Sequence, residues 1–324
     1  MNKKHAHNHI AESRLTLPLI SVYGLVIWLL NGFLSPFYPL ESKGLTGGAW
    51  GQLGCFVLST ALMVFLNNSQ SLIRIYSRMV SASFVVLSCV TCFLFNSMDG
   101  AIVVLCVIAA YFTAFRSFQD KQATGWIFYT FVCISLGSLL FVQLLYFVPI
   151  VWLLMLYMLN SLSWRTFFAS ILGLITPYWF IVSYLLYKED FSYFITHFQK
   201  LAEFPFPYDY AQLTIAQVLS FAFIVLLALT GIIHYLRNRI NDKIRTRQLY
   251  SCFICMALLS IAYLAVQPQH YDCMMHILII NTSPLIAHFF ALSYTHITEV
   301  AFRLVCLTAL ILTIFSLCLP SLTF

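Results

Sequence analysis

The side chains in this chain that could do chemistry fall into three groups. Two polar segments carry acids: Ser35 to Gly48, which holds the acid-base pair Glu41 and Lys43 among prolines and glycines, and a short stretch with Asn96, Ser97 and Asp99. The longest polar segment, Lys188 to Tyr210, mixes His197, Lys200 and Glu203 with Phe191, Phe194, Phe198, Phe204 and Phe206. Rings at headgroup depth beside charges in water suit a helix lying in a membrane interface, a reading that requires no active site. The third group lies inside an apolar stretch: His276, Asn281, Thr282, Ser283, Pro284 and His288. Pro284 has no N–H for the carbonyl of residue 280, so a helix there kinks and frees a polar group that neighbouring hydroxyls and amides can satisfy. The functional alternative is a broken helix lining a substrate path, with Asn281 and His288 as binding residues. Cys89-x-x-Cys92 and Cys252-x-x-Cys255 have the spacing of redox or zinc half-motifs, but in or beside a membrane helix a free Cys behaves as a small hydrophobe. His5, His7 and His9 belong to an exposed tail, and neither a metal nor a cofactor is expected.

The elements that must position these groups are membrane helices. With 61% apolar, 17% aromatic and 9% charged residues, the chain cannot cover a soluble domain, whose composition is about a quarter charged. Runs such as Phe128 to Tyr157 lack the alternation of barrel strands, and a helix needs about 20 apolar residues to cross the hydrocarbon core. The pattern predicts an all-α polytopic bundle of about eleven spans, near 16–34, 49–66, 79–95, 101–115, 124–142, 147–160, 166–187, 212–235, 249–267, 274–293 and 298–318. It comprises a polar tail, 1–15, and one transmembrane domain, 16–320, with polar loops 35–48 and 188–211 on one side and a basic loop, 236–248, on the other. Ser135, Gly137 and Ser138 are expected to mark close helix packing.

Charge sets the sidedness. Cytoplasmic loops retain Lys and Arg, and with eleven spans and a cytoplasmic N-terminus all of the 17 basic residues except Lys43, Lys188 and Lys200 fall inside. Merging the spans at 124–142 and 147–160 would throw Arg237 to Arg247 to the outside, so two spans are expected there and the C-terminus is periplasmic. The basic loop, with Arg237, Arg239, Lys243, Arg245 and Arg247, is expected to rest on anionic lipid headgroups rather than on nucleic acid. About fifteen polar residues precede a full-length first span with no small-x-small site after it, so no cleavable leader is expected. No Asp, Glu, Lys or Arg lies deep in any span, which disfavours an ion-coupled pump.

The stretch from Ser81 to Tyr187, with FNSMDG, FRSFQDKQATGWIF, SLGSLLFVQLLYFVPIVW and WRTFFASILGLITPYWF, resembles an uncharacterised family of multipass inner-membrane proteins of the Bacteroidota type. HILIINTSPLIAHFF and ITEVAFR fit the C-terminal part of that family. This resemblance implies a bacterial inner-membrane location and no established activity. The layout is also similar to the GT-C superfamily of glycosyltransferases, which use polyprenyl-phosphate sugars. Glu41 and Asp99 stand where that superfamily keeps acids in its first outer loop and between its third and fourth spans, although Glu41 is followed by Ser42 rather than by a second acid. The GT-C likeness implies that one carboxylate acts as general base on an acceptor hydroxyl while the other orients it, with Lys188, His197 or Lys200 facing the departing lipid phosphate. The expectation is a GT-C-like envelope glycosyltransferase, active or degenerate. The alternatives are a scaffold subunit of an envelope complex and a lipid or solute transporter.

Overall fold

The computed structural model describes residues 6–34, 47–92, 95, 97–188, 192–203, 210 and 213–318. Thirteen α-helices follow one another: α1 (Ala6–Glu12), α2 (Thr16–Leu34), α3 (Gly47–Gln70), α4 (Met79–Val90), α5 (Met98–Arg116), α6 (Thr124–Leu140), α7 (Val148–Tyr157), α8 (Trp164–Lys188), α9 (Ser192–Ala202), α10 (Ile215–Asn238), α11 (Ile244–Val266), α12 (Tyr271–Leu292) and α13 (His296–Cys318). Among the described residues there is no strand, and the chain is an all-α polytopic membrane protein. Eleven of these helices lie where the hydropathy pattern places spans. Eight are long and apolar enough to cross a bilayer, whereas α4, α6 and α7 are shorter. The apolar run from residue 124 to 157 is broken at Phe141, and the 3-10 turn Val142–Phe147 then leads to Pro149 in the first turn of α7, where the missing N–H costs nothing.

Contacts divide the chain into two compact units, Met1–Ala101 with Tyr208–Phe324, and Ile102–Pro207. In the first, α12 is the central helix, packed against α1, α4, α10 and α11. It is buried without a break from Ile277 to His288, so no face of that stretch meets lipid or water. Gly231 of α10 allows the close approach: a Cβ there would stand 3.0 Å from the backbone carbon of Leu285. The short α4 ends inside this unit, and its last carbonyl, that of Val90, accepts from Ser220 of α10 at 3.5 Å and Ser316 of α13 at 3.1 Å. These serines satisfy a helix end that lipid could not. The polar tail contributes α1, which is held by Ser77 Oγ donating to Ala11 O at 2.8 Å.

In the second unit α6 lies against α8. A Cβ on Gly173 would fall 2.5 Å from the Phe128 carbonyl oxygen, so only glycine fits there. Ser135 donates to Leu174 O at 2.7 Å, Ser138 bonds the Tyr178 hydroxyl at 2.7 Å, and Trp152 Nε1 donates to Ser170 Oγ at 2.9 Å. Of the small residues flagged in the sequence, Ser135 and Ser138 face α8 and carry the interhelical hydrogen bonds, whereas Gly137 faces Leu144 and Cys106 of α5. The segment between α8 and α10 contains α9, which docks back through Tyr146 donating to Leu201 O.

Candidate functional site

Asp99 lies in the first turn of α5, and α12 opens with its own acid, Asp272; both are exposed. Two close contacts bring these turns together within the first unit. Gly100 faces the His276 ring so closely that a Cβ would meet Cε1 at 2.8 Å, and the Cys273 thiol lies within electrostatic reach of both carboxylates. The turn before α5 is fixed from α3, where Gln52 Nε2 donates to Ser97 O at 3.4 Å and Gly51 faces the Met98 methyl. Ser97 Oγ accepts from the Gly100 N–H at 3.0 Å, which caps α5 and sets the direction of Asp99. His276 Nδ1 is 2.8 Å from the Asp272 carbonyl. A carbonyl can only accept, so Nδ1 carries the proton and the neutral ring presents Nε2 as a lone pair. The cluster thus offers two solvated carboxylates and an imidazole in its basic tautomer.

Beside it runs an apolar cleft of about 420 Å³ between α2 and α3, floored by Val85 of α4. Leu17 and Leu25 line one wall, and Leu53, Phe56 and Val64 the other. From Leu53 to Val64 the groove follows α3 for about 16 Å at the helical rise per residue. Its Leu53 end adjoins Gln52, the residue that holds the Asp99 turn. Phe56 in the cleft packs edge-on to Phe95 at 5.1 Å, and the Trp28 and Trp50 rings meet at 5.8 Å.

Of the site residues expected from the sequence, Glu41 lies outside the described residues. Asn281 is fully buried and donates to Ile277 O at 2.8 Å, Ser283 donates to Ile279 O at 2.6 Å, and Tyr250 donates to the Pro284 carbonyl at 3.3 Å. The α-helix is assigned without interruption through Pro284. His288 sits about one turn further along, its Nε2 3.0 Å from Asp242 Oδ2. In the second unit, exposed Lys188 stands over the Tyr184 ring at 5.6 Å and Lys200 is exposed on α9. His197 is buried between Tyr178, with its hydroxyl 3.5 Å away, and Phe198. Burial, helped by the Lys200 ammonium, holds His197 below the ordinary histidine value, against a smaller upward effect of its hydrogen bond to the Ser138 backbone.

Sequence reasoning missed Asp272, His276 and Gln52 as neighbours of Asp99, and Asp242 as the partner of His288. The first three lie far from Asp99 in the chain and nothing local links them. Asp242 sits among five basic residues, whose charge masks it. The basic loop itself is mostly helical, since α10 reaches Asn238 and α11 starts at Ile244. Arg74 reaches Asn241 O at 3.4 Å and Arg245 reaches Gln70 Oε1 at 2.5 Å, so part of its charge binds protein. All ten cysteines are free thiols, with Cys89, Cys92 and Cys252 buried as hydrophobes.

The fold defines an integral, multipass membrane protein. Compared with known protein families, with curated proteins and with solved structures, the chain matches none.

Proposed function

We propose that the protein is an envelope glycosyltransferase of GT-C-like layout, resident in the bacterial inner membrane with its N-terminus cytoplasmic and the Asp99 cluster facing the periplasm. The supporting observation is the apolar cleft of α2 and α3, whose Leu53 follows Gln52, the residue that holds the turn before Asp99. A lipid-linked sugar needs this pairing, an apolar groove for its tail and polar groups at headgroup level. In this reading His276 Nε2 or one of the two carboxylates takes the proton of an acceptor hydroxyl as it attacks the anomeric carbon. The bond from that carbon to the lipid phosphate then breaks, and the phosphate leaves with the bonding pair. Glu41 is proposed as a further acid, Lys188 and Lys200 as substrate-binding cations of the second unit, and anionic lipids as the partners of Arg237, Arg239, Lys243, Arg245 and Arg247.

The test is turnover of radiolabelled polyprenyl-phosphate sugars in proteoliposomes. Asp99→Asn, Asp272→Asn and His276→Gln are expected to lower sugar release about 10²- to 10⁴-fold, the usual worth of general acid-base groups, with insertion unchanged. Turnover that survives all three changes overturns the assignment of the site. A wild-type protein that binds the lipid without releasing sugar overturns the enzymatic reading in favour of a non-catalytic subunit.

A further inference from the structure

The other end of α12 carries a second cluster, which the transfer chemistry does not use. His288 and Asp242 form a pair at 3.0 Å, with side chains only 1% and 3% exposed. The Tyr235 and Tyr250 rings stack at 4.6 Å, and each meets the His288 ring at 5.1 Å. The His234 ring is 5.7 Å from that of His288, and its Nε2 is 2.9 Å from Ser293 Oγ. Three atoms of this cluster are buried with no hydrogen-bond partner among the described residues: His288 Nδ1, His234 Nδ1 and the Tyr235 hydroxyl. Natural interiors leave few such atoms, and three around one imidazole need a reason.

The acid's choice of partner supplies it. Asp242 lies within five residues of Arg237, Arg239, Lys243, Arg245 and Arg247, yet its carboxylate turns inward to an imidazole. An arginine would lock the carboxylate in one charge state, because guanidinium does not lose its proton. An imidazole can exist in two states. We propose that His288, with Asp242 as its counter-charge, is a proton-binding site on the cytoplasmic side of the protein.

An ionised Asp242 can only accept, so Nε2 of His288 donates to it and the unpartnered Nδ1 is the vacant base. The pair then carries one negative charge. A proton arriving on Nδ1 converts it to a neutral ion pair, which a buried site supports better than a lone anion. Half-buried His234 is the second imidazole beside the pair, its ring oriented by Ser293. The other ionisable groups within electrostatic reach of the cluster are Tyr235 of α10, Arg239 in the turn after it, and Arg247 and Tyr250 of α11; of the remaining helices packed against α12, α1 carries His9 and Glu12 and α4 only cysteine. Arg239 and Arg247 offset the negative charge of the unprotonated pair.

The experiment is nitrogen NMR of histidine-labelled protein in lipid nanodiscs across about pH 4 to 9, a range that brackets ordinary histidine titration. The His288 signals are identified by their loss in His288→Gln. On acidification Nδ1 is expected to pass from bare to protonated while Nε2 stays protonated. Asp242→Asn should move that transition toward lower pH by about one unit or more, the usual effect of removing an adjacent opposite charge. An Nδ1 that keeps one state across the series, or a transition unmoved in Asp242→Asn, overturns the proposal. If the variants do not fold, the wild-type series decides it, with the signals assigned through their contacts to the Tyr235 and Tyr250 rings.

Discussion

The two ends of α12 place an acid beside an imidazole in opposite ways. At the first turn, Asp99 and Asp272 are exposed and His276 is bonded to a backbone carbonyl, so the carboxylates keep their hydration and can meet a substrate. About four turns on, roughly 24 Å along the helix axis, Asp242 and His288 are sealed under two tyrosines and only a proton can reach them. The comparison teaches that one buried helix holds the same two residue types in opposite environments, because its ends differ in solvation. A solvated acid is available for reaction and contributes little to folding, whereas a buried one is coupled to the stability of everything packed around it.

That contrast can be broken most sharply at the buried end. His288→Ala is expected to destabilise the protein by about 3–5 kcal/mol, since it strands a carboxylate in a dry site, and Asp242→Ala by about 1–3 kcal/mol, since it strands a neutral imidazole N–H. Changing both to leucine should recover much of the loss. Thermal unfolding in detergent checks this, and a double variant no better than the singles would mean that the pair is not an isolated ionic unit. Next in size is Gly231→Ala, which pushes α10 off the Leu285 backbone beside the same cluster and should cost about 1–3 kcal/mol, read from the same melts.

A smaller effect is expected at His197, which faces a tyrosine hydroxyl and the Lys200 ammonium. Its lowered folded value means that the docked helix binds the proton less readily than the free one. The contribution of His197 to docking of α9 is therefore fully present above about pH 6.5, the unperturbed value, and is lost as the pH falls through the lower folded value. Hydrogen exchange in Ser192 to Ala202 should rise on acidification, and His197→Phe should remove the dependence. The smallest change belongs to the solvated end. Asp99→Asn and Asp272→Asn are expected to leave the melting midpoint where it is, so any loss of sugar release in these variants reflects chemistry alone.

Much of this architecture is legible in the residues. The apolar runs locate the helices because a bilayer leaves the backbone no other way to satisfy itself, and Ser135 and Ser138 announce the α6–α8 contact because small polar side chains let two helices approach and bond. The site residues were harder to read. Asp99 stood out as an acid between spans, yet its neighbours Gln52, Asp272 and His276 lie 47 or more residues away in the chain, and no local spacing joins them. Asp242 was hidden among the five basic residues of its own loop. Hydropathy and charge, which act along the chain, settled the class of the protein and its helices. Which polar groups meet, and which of them water can reach, was decided only when the helices packed, because pairing and burial depend on neighbours in space rather than on neighbours in sequence.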